Sequence, residues 1–454
     1  MKPTRGRFVV LGYLTALTFV LYLDRVCIGK VGQRIREEFG MSATELSYVF
    51  SAFGLAYTLF LPIAGRLADR FSGRVVLTVI VLWWSAFTSL TGLAGSFAML
   101  LVIRFLFGAG EAGALPCCAR LIDRWFPADS RGFAQGLVNT SALVGATIAP
   151  FTTEWIVEFI DERLAPFFHD RYGIVLIGWR WTFVAYGALG VLWAATFWLT
   201  YHDEPPTQAG ANETDRFHAA VPWGAVTAST NVWLMGLIMS CVSCAAYFFF
   251  SWYPSYLEKG RGVAPLASGS LSSLVLAGGA VGSVLGGLLG DLVQRRTGGN
   301  RRARSAIGAV SMTLAAGSLV ASLATDDALV ASALTALAYC WIMLQSASWW
   351  GVVSDISGPH VGVLFGVMNG LGAFGAIGGQ VLIGRMVDYN ESQGLLGRAQ
   401  WDPGIVFFGG VLLVGAVAWI FVDSNKSAIG ESDESHKPCR DGVPLREADL
   451  AGDQ

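Results

Sequence analysis

The sequence predicts an all-α integral membrane protein of twelve transmembrane helices, arranged as two six-helix pseudo-repeats. Three observations lead to this fold class. Of the 454 residues, 54% are hydrophobic and only 14% are charged, whereas a soluble domain has about 25% charged residues. Twelve apolar segments are long enough to cross a bilayer, and one charged glycine motif recurs in both halves of the chain. Most cytosolic enzymes are excluded, because a soluble globule with this composition would be coated in apolar surface.

The twelve segments follow from length and hydropathy. A helix needs about 20 mostly apolar residues to cross the hydrocarbon core. The predicted spans are residues 8–30, 47–65, 75–94, 97–119, 133–157, 180–200, 229–257, 266–290, 305–324, 328–352, 361–385 and 403–423. The first segment is too long for a signal peptide and lacks a small-residue cleavage site, so we predict that it stays in the mature protein.

Lysine and arginine are distributed unequally between the two sides of the predicted bundle. More of them lie on the side that carries both termini, and Lys30, Arg34 and Arg36 are assigned to the opposite side, after the first span. Positive residues are enriched in cytoplasmic loops. We therefore expect both termini in the cytoplasm and a multi-pass protein in a bacterial inner membrane.

A polar, proline-containing segment divides the spans into six plus six. The predicted organisation is an N-terminal bundle, a cytoplasmic linker, a C-terminal bundle and a disordered cytoplasmic tail, over residues 1–200, 201–228, 229–423 and 424–454. Parallel six-helix halves are the arrangement of major facilitator transporters.

The repeated motif supports this division. Gly65-Arg-Leu-Ala-Asp69 follows the second span, and Gly287-Leu-Leu-Gly-Asp291 follows the eighth. A glycine lets two helix ends approach closely, and Asp69 can pair with nearby arginines at a helix N-terminus. We predict a conformational latch that breaks when the cytoplasmic side opens, formed by Gly65, Asp69, Arg70, Arg74 and Asp291. Simple anchoring by positive residues is the alternative interpretation.

Charges inside the spans concentrate in the first and fourth segments. Asp24 and Arg25 lie in the first, and Arg104 and Glu111 lie in the fourth. Each costs about 2.5–3.5 kcal/mol on insertion scales if it is unpaired near mid-bilayer. We therefore expect these four side chains to pair, to face water, or both.

Two roles follow from the chemistry of these groups. Removal of a carboxylate from water disfavours its charged form, so Asp24 and Glu111 are proton-carrier candidates, with Arg104 on the same face as Glu111. An arginine keeps its charge and presents a planar fork that matches a carboxylate, so Arg25 is the candidate for binding an anionic substrate. A buried structural salt-bridge network is the alternative for all four.

The second half has almost no charge within its spans. Its polar features are Gln345, Trp349, Trp350, Asn369, Gln380, Tyr247, Ser251 and Trp252. The aromatic residues either line a sugar-sized cavity or form an interfacial belt. Asn369 lies in a glycine-rich segment, where a buried amide needs partners, and we predict that it faces the cavity.

Metal, redox and enzymatic sites are not indicated. Cys241 and Cys244 form a CxxC inside a predicted helix, without a second cysteine pair or a nearby histidine. No nucleophile–base pair is evident, so we predict no enzyme, no metal and no cofactor. The net charge of −2 gives no reason to expect a nucleic-acid partner, and we expect a monomer in the lipid bilayer.

Five stretches of the sequence are similar to a known family. They are Tyr22–Arg25, Arg104–Pro116, Trp125–Arg131, Ser251–Leu257 and Gly290–Gly298. Together they resemble the anion:cation symporter family of the major facilitator superfamily, over about residues 8–423. That family includes bacterial galactonate, glucarate and hexuronate transporters, sialin and the vesicular glutamate transporters.

The resemblance implies roles for individual residues. It implies that Arg25 binds a substrate carboxylate and that Asp24 and Glu111 are protonatable. It also implies cavity positions for Tyr22, Tyr57, Asn369 and Trp350. In the fifth span, sugar-acid members have a glutamine shortly after an Asn-Ser pair, and Ala142 stands at that place here. This departure argues against a galactonate-like substrate but not against an anion.

The predicted function is proton-coupled symport of a small organic anion, such as a sugar acid or another carboxylate. Protonation of Asp24 and Glu111 would be linked to anion capture by Arg25, and the two halves would rock about a midplane site. A sodium-coupled carrier or a uniporter remains open as an alternative. A drug/proton antiporter is disfavoured by Arg25, and a non-transporting receptor is the remaining class.

Overall fold

The computed structural model describes residues 6–201, 223–297, 301–357 and 360–423, and all regular structure in these residues is helical. The long helices are named α1 to α12 in chain order. Their bounds are Gly6–Phe39, Ala43–Arg70, Gly73–Gly92, Phe97–Trp125, Ala128–Phe159, Gly178–Thr200, Thr230–Ser251, Pro265–Thr297, Arg301–Ala321, Ala328–Ser357, Val361–Ser392 and Arg398–Phe421. Each contains a stretch that is long and apolar enough to cross a membrane, so the predicted count of twelve spans is confirmed.

Five predicted spans end six residues or more from the observed helix ends, namely the first, fourth, seventh, eighth and eleventh. The first span was predicted to end at residue 30, but α1 continues to Phe39. Lys30, Arg34 and Arg36 are therefore helical rather than loop residues, and ion pairs to other helices hold them there. The seventh span was predicted to reach residue 257, but α7 ends at Ser251. Pro254, which lacks an N–H group, lies in the first turn of the short helix Tyr253–Ser255 that follows, and Tyr256–Gly260 forms a π-helical turn after it.

Most of the predicted linker and the whole of the predicted tail lie outside the described residues. Residues 223–228 of the linker form a short helix, Trp223–Ala228. Residues 202–222 and 424–454 are not described. The terms N-half and C-half are used below for residues 6–201 and 223–423.

The two halves repeat one pattern of helix pairing. In the N-half, α1 packs on α5, α2 on α4 and α3 on α6; in the C-half, α7 packs on α11, α8 on α10 and α9 on α12. Glycines at equivalent places allow two of these pairs to touch along the backbone. A Cβ at Gly145 would lie 2.3 Å from the carbonyl oxygen of Phe19, and a Cβ at Gly375 would lie 2.1 Å from that of Ser240. Larger residues would separate these helices.

The halves meet where α2 contacts α11 and where α5 contacts α8. All hydrogen bonds and ion pairs between described residues of the two halves lie at one end, which we call the closed end. It is the end where α1 finishes and α2 begins. There, Asp388 of α11 accepts hydrogen bonds from the backbone N–H groups of Ala43 (2.8 Å) and Thr44 (2.7 Å).

The backbones of the two halves also touch at the closed end. A Cβ at Gly29 of α1 would lie 2.1 Å from the carbonyl oxygen of Phe250 in α7. At the opposite end, where α2 finishes and α3 begins, no hydrogen bond or ion pair joins described residues of the two halves. Among the described residues, the halves are thus joined by hydrogen bonds and ion pairs at the closed end and not at the opposite end.

Replacement of Gly282 by alanine tests the packing of α8 on α10. A Cβ there would lie 2.1 Å from the carbonyl oxygen of Cys340, so we expect a loss of about 1–3 kcal/mol in stability from overpacking. The measurement is the thermal unfolding midpoint of the purified protein in detergent. Gly317→Ala is the matched control, because nothing lies within 4 Å of a Cβ at that helical position; equal loss in both variants would contradict the packing.

Candidate functional site

The main polar feature of the N-half interior is an ion pair between α1 and α4. The Nε of Arg25 donates a hydrogen bond to Oε1 of Glu111 over 2.9 Å, and its Nη2 lies 2.6 Å from the same oxygen. The Glu111 side chain is 1% exposed and that of Arg25 is 15% exposed. The expectation that intramembrane charges pair is met here. Arg25 is the more accessible partner.

Aromatic rings surround the guanidinium group of Arg25. Its central carbon lies 4.8 Å from the ring centre of Tyr22, 5.1 Å from that of Phe53 and 5.0 Å from that of Tyr57. Tyr247 of α7, in the C-half, is also within electrostatic range of Arg25. The arginine is therefore held by ring faces of the N-half and faces a phenol of the C-half, as a residue between the halves would be.

The sequence of α4 explains how Glu111 reaches this place. A Cβ at Gly108 would lie 2.4 Å from the carbonyl oxygen of Phe53, so only glycine lets α4 approach α2 this closely. The helix is interrupted after Glu111, between its parts Phe97–Glu111 and Ala114–Trp125. Pro116 accounts for the break, because its ring excludes the hydrogen bond to the carbonyl of Ala112. The close backbone approach that brings Glu111 into the N-half interior therefore depends on Gly108.

Asp24 precedes Arg25 on α1 and has a different environment. It is 1% exposed, and neither carboxylate oxygen has a hydrogen-bond partner among the described protein atoms. Arg104 and Glu111 are its charged neighbours. Thr88 is also near, but its hydroxyl donates to the carbonyl oxygen of Trp84 over 3.0 Å. Asp24 can therefore gain or lose a proton without the loss of a hydrogen bond.

Arg104 is a buried cation whose closest partners are aromatic. Its guanidinium carbon lies 4.4 Å from the ring centre of Phe107 and 5.5 Å from that of Phe53. It forms no ion pair within the described part of the chain. The four predicted charges are thus one direct ion pair, Arg25–Glu111, and two buried charges, Asp24 and Arg104, that stand near it.

Among the described residues, no hydrogen bond or ring contact joins Trp349, Trp350 or Asn369 of the C-half to Arg25. Trp349 is buried, and its indole N–H donates to the carbonyl oxygen of Met235 over 3.1 Å, so it belongs to the C-half core rather than to a cavity or a belt. Trp350 is half exposed and stacks on Phe365 with ring centres 4.2 Å apart. Asn369 is half-buried, and its amide makes no hydrogen bond to other described residues.

The described members of the predicted latch, Gly65, Arg70 and Arg74, do not contact one another through a hydrogen bond or an ion pair. A Cβ at Gly65 would meet no atom within 4 Å, so the close approach predicted there is absent. Arg74 instead lies over the ring of Trp198 at 4.3 Å and donates from Nε to its carbonyl oxygen over 3.1 Å. Arg70 is exposed, and its guanidinium group lies over the ring of Phe71. The side chains of Asp69 and Asp291 lie outside the described residues.

A charged cluster at the closed end was not predicted from the sequence. Lys30 is fully buried. Its Nζ lies 3.1 Å from Glu154 Oε2 and also donates a hydrogen bond to the carboxylate of Glu258. Arg34 donates from Nη1 to the same Oε2 of Glu154 over 2.7 Å. Glu154 falls within the predicted fifth span, so it belonged among the intramembrane charges. The predicted set of intramembrane charges, which concentrates in the first and fourth spans, was therefore incomplete.

The CxxC motif of the seventh span consists of buried thiols in α7. Cys241 and Cys244 are both free and buried, and the sulfur of Cys244 lies 2.6 Å from the position of a Cβ at Gly379. No cluster of three or more potential metal ligands occurs in the described ranges.

Comparison with known proteins identifies the fold family. The model of the Major Facilitator Superfamily matches residues 14–380. The chain belongs to the major facilitator superfamily. The repeated pairing of α1 to α6 and α7 to α12 is its architecture. It is thus a multi-pass membrane transporter and not an enzyme.

Similar proteins confirm the resemblance derived from the motifs. A probable sulfoacetate transporter of Cupriavidus necator is 32% identical over 97% of this chain and 99% of its own length. A probable galactarate/D-glucarate transporter of Pseudomonas putida is 31% identical over 85% of this chain and 86% of its own. The D-galactonate transporter of Escherichia coli O6:H1 is 26% identical over 94% of this chain and 98% of its own.

Solved structures show the same fold. The crystal structure of a bacterial homolog of the human lysosomal transporter Spinster, in an inward-facing and unoccupied conformation, superposes with a TM-score of 0.80. The match covers 94% of this chain and 98% of the other, at 21% sequence identity.

The different environments of the two buried carboxylates predict opposite effects on stability. Glu111→Gln leaves Arg25 without its anion, and we expect a loss of about 3 kcal/mol or more. Asp24→Asn removes a charge that has no hydrogen bond to lose, so stability should stay unchanged or rise. The measurement is thermal unfolding in detergent at neutral pH. An equal loss in both variants would show that Asp24 has an ionic partner comparable to Arg25.

Proposed function

We propose that this protein is a proton-coupled symporter of a small organic anion in a bacterial inner membrane. The observation that carries the proposal is the Arg25–Glu111 ion pair, which lies beside the unpartnered carboxylate of Asp24. One arginine there can take either an internal carboxylate or an external anion, and the internal carboxylate can be neutralised by a proton.

Anion recognition would use the exposed part of Arg25. Its guanidinium fork matches a carboxylate or a sulfonate in shape and charge. The rings of Tyr22, Phe53 and Tyr57 restrict its rotation. A substrate anion would replace Glu111 on Arg25, with Tyr247 on the opposite wall. The candidate cavity residues Asn369 and Trp350 would contribute neutral contacts from the C-half.

Proton coupling would follow from competition for Arg25. When Glu111 binds a proton it loses its attraction for the arginine, and the anion gains a free partner. A proton and an anion therefore favour each other's binding, and this mutual effect is a property of symport. Asp24 would serve as a second proton site, and Arg104 would limit how readily Asp24 stays protonated.

The similar proteins support the substrate class. Transporters named for sulfoacetate, galactarate or D-glucarate, and D-galactonate all act on organic acids. Ala142 is buried on α5. Ser141 beside it bonds the carbonyl oxygen of Thr15 in α1 over 2.7 Å. The family's glutamine is thus replaced by a small apolar residue near α1, which favours an acid other than galactonate.

Alternating access would use the two bundles predicted over residues 1–200 and 229–423. If both termini are cytoplasmic, as the positive residues predict, the closed end is periplasmic and the structure is inward-facing. The lack of close contact at Gly65 and the position of Arg74 over Trp198 are compatible with this state, because the latch would form only when the cytoplasmic side closes. Its proposed members remain Gly65, Asp69, Arg70, Arg74 and Asp291.

Uptake into proteoliposomes tests the coupling. With sulfoacetate, glucarate, galactarate and galactonate as radiolabelled candidates, we expect accumulation of at least one acid when an inward proton gradient is imposed. Accumulation should stop when a protonophore collapses that gradient. Glu111→Gln, which removes the proton-dependent competition for Arg25, should uncouple uptake while exchange of labelled for unlabelled acid continues. Sodium-driven uptake would favour a sodium symporter, gradient-independent uptake a uniporter, and binding without transport a receptor.

Arg25→Lys tests the anion site. The lysine keeps the positive charge but loses the fork, so we expect the substrate dissociation constant to rise by about tenfold or more, as for a lost hydrogen bond to a charged group. Binding is measured by calorimetry in detergent. Arg120→Lys is the control, because Arg120 donates to the carbonyl oxygen of Phe71, away from the proposed site. Unchanged affinity in Arg25→Lys would remove Arg25 from the site.

A further inference from the structure

The fully buried lysine at the closed end binds carboxylates from both halves of the molecule. Lys30 of α1 contacts Glu154 of α5, in its own half, at 3.1 Å. It also bonds Glu258, which follows α7 in the C-half, and lies 3.4 Å from the hydroxyl of Ser268 in α8. Lys30 is therefore both part of the N-half and one of the contacts that seal the halves together.

The direct ion pairs of this cluster balance only when the halves are closed. In the N-half, Lys30 and Arg34 form ion pairs with a single carboxylate, that of Glu154. These three directly paired groups carry a net charge of +1, and Glu258 from the C-half neutralises it. Two more N-half carboxylates interact with the cations without forming an ion pair, those of Glu158 and Asp161. Separation of the halves at this end withdraws Glu258 from Lys30. One positive charge of the directly paired groups, buried until then, becomes unneutralised on the wall of the opened vestibule.

We propose that Lys30 is an outer anion subsite, which Glu258 occupies in the closed state and yields to the carboxylate or sulfonate of the substrate when this end opens. The inference rests on the proposed function, since it assumes that an organic anion enters from this side. Glu258 acts there as an internal substitute for the substrate, as Glu111 does at Arg25. The Ser268 hydroxyl belongs to the C-half and moves away with it, so it takes no part in the open subsite. Lys30 supplies the positive charge that binds the anion.

The position of Lys30 suits an entry step. It lies five residues beyond Arg25 on the same helix, which corresponds to a rise of about 7.5 Å towards the closed end. An anion that enters there meets Lys30 first and Arg25 second. Re-closure returns Glu258 to Lys30, which displaces the anion towards Arg25 and opposes its escape. Entry of the anion from the closed end would therefore depend on Lys30. Entry from the opposite end would not depend on it.

Two variants of the same ion pair separate a subsite from a simple gate. Lys30→Gln removes the anion-binding charge, so we expect the KM for substrate on the closed-end side to rise about tenfold. Glu258→Gln removes the internal competitor and should lower that KM several-fold. If Lys30 only seals the halves, both variants break one seal and must shift that KM in the same direction, which would overturn the proposal.

The measurement is the initial rate of transport in right-side-out and inside-out membrane vesicles. Lys30→Gln should leave the KM on the opposite side nearly unchanged. Lys259→Gln is the matched control, because Lys259 also joins the halves, through Glu37 at 2.5 Å, but both side chains are about half exposed; we expect no change in either KM. The double variant Lys30→Gln/Glu258→Gln, which removes one charge of each sign, should raise the closed-end KM as Lys30→Gln does, and a lowered value would contradict the subsite.

The proposed function and this inference fail in different ways. If the unaltered protein transports none of the organic acids in either vesicle orientation, the proposed function fails. If it transports one of them, and Lys30→Gln lowers or does not change the KM on the closed-end side, the function stands and the outer subsite is wrong.

Discussion

The exclusion of unpaired charge from a bilayer is the constraint on which the rest of this structure depends. Arg25 and Glu111 could not both lie inside the N-half without each other, and their pair fixes α1 against α4. The glycine at position 108 and the helix break before Pro116 are then required, because they bring Glu111 to the arginine. The glycine and the helix break in α4 are thus needed because the buried charge of Arg25 in α1 requires a carboxylate partner.

The molecule combines a symmetric frame with an asymmetric distribution of chemistry. The three helix pairings of the N-half recur in the C-half, with glycines at equivalent contacts. The buried charges do not recur, because α7 and α10 carry aromatic and amide side chains where α1 and α4 carry ions. A repeated frame provides two rigid bodies of similar shape, whereas charge on one body allows proton and anion chemistry to take place without a second, competing site.

The sequence predicted features that depend on short stretches of chain and missed those that depend on contacts between distant ones. Twelve spans follow from hydropathy, and the charges at 24, 25, 104 and 111 stand out against apolar neighbours. The extension of α1 to Phe39 could not be predicted from hydropathy, because positive residues at the end of an apolar segment are typical of a loop. Lys30, Arg34 and Arg36 are helical here because they form ion pairs with Glu154, Glu258 and Glu391. Those partners are 120 to 355 residues away in the chain. Glu154 alone could have been found, because its carboxylate falls within an apolar segment.

The start of α2 shows how such a seal can be strong and still easy to release. Ser42 and Glu45 satisfy each other's backbone N–H groups, and Asp388 of the opposite half satisfies those of Ala43 and Thr44. When Asp388 withdraws, the helix keeps its own cap and the two freed N–H groups meet water, so hydrogen bonds are exchanged rather than lost. The two conformations can therefore be close in free energy, and a carrier with no deep resting state is one that can cycle quickly.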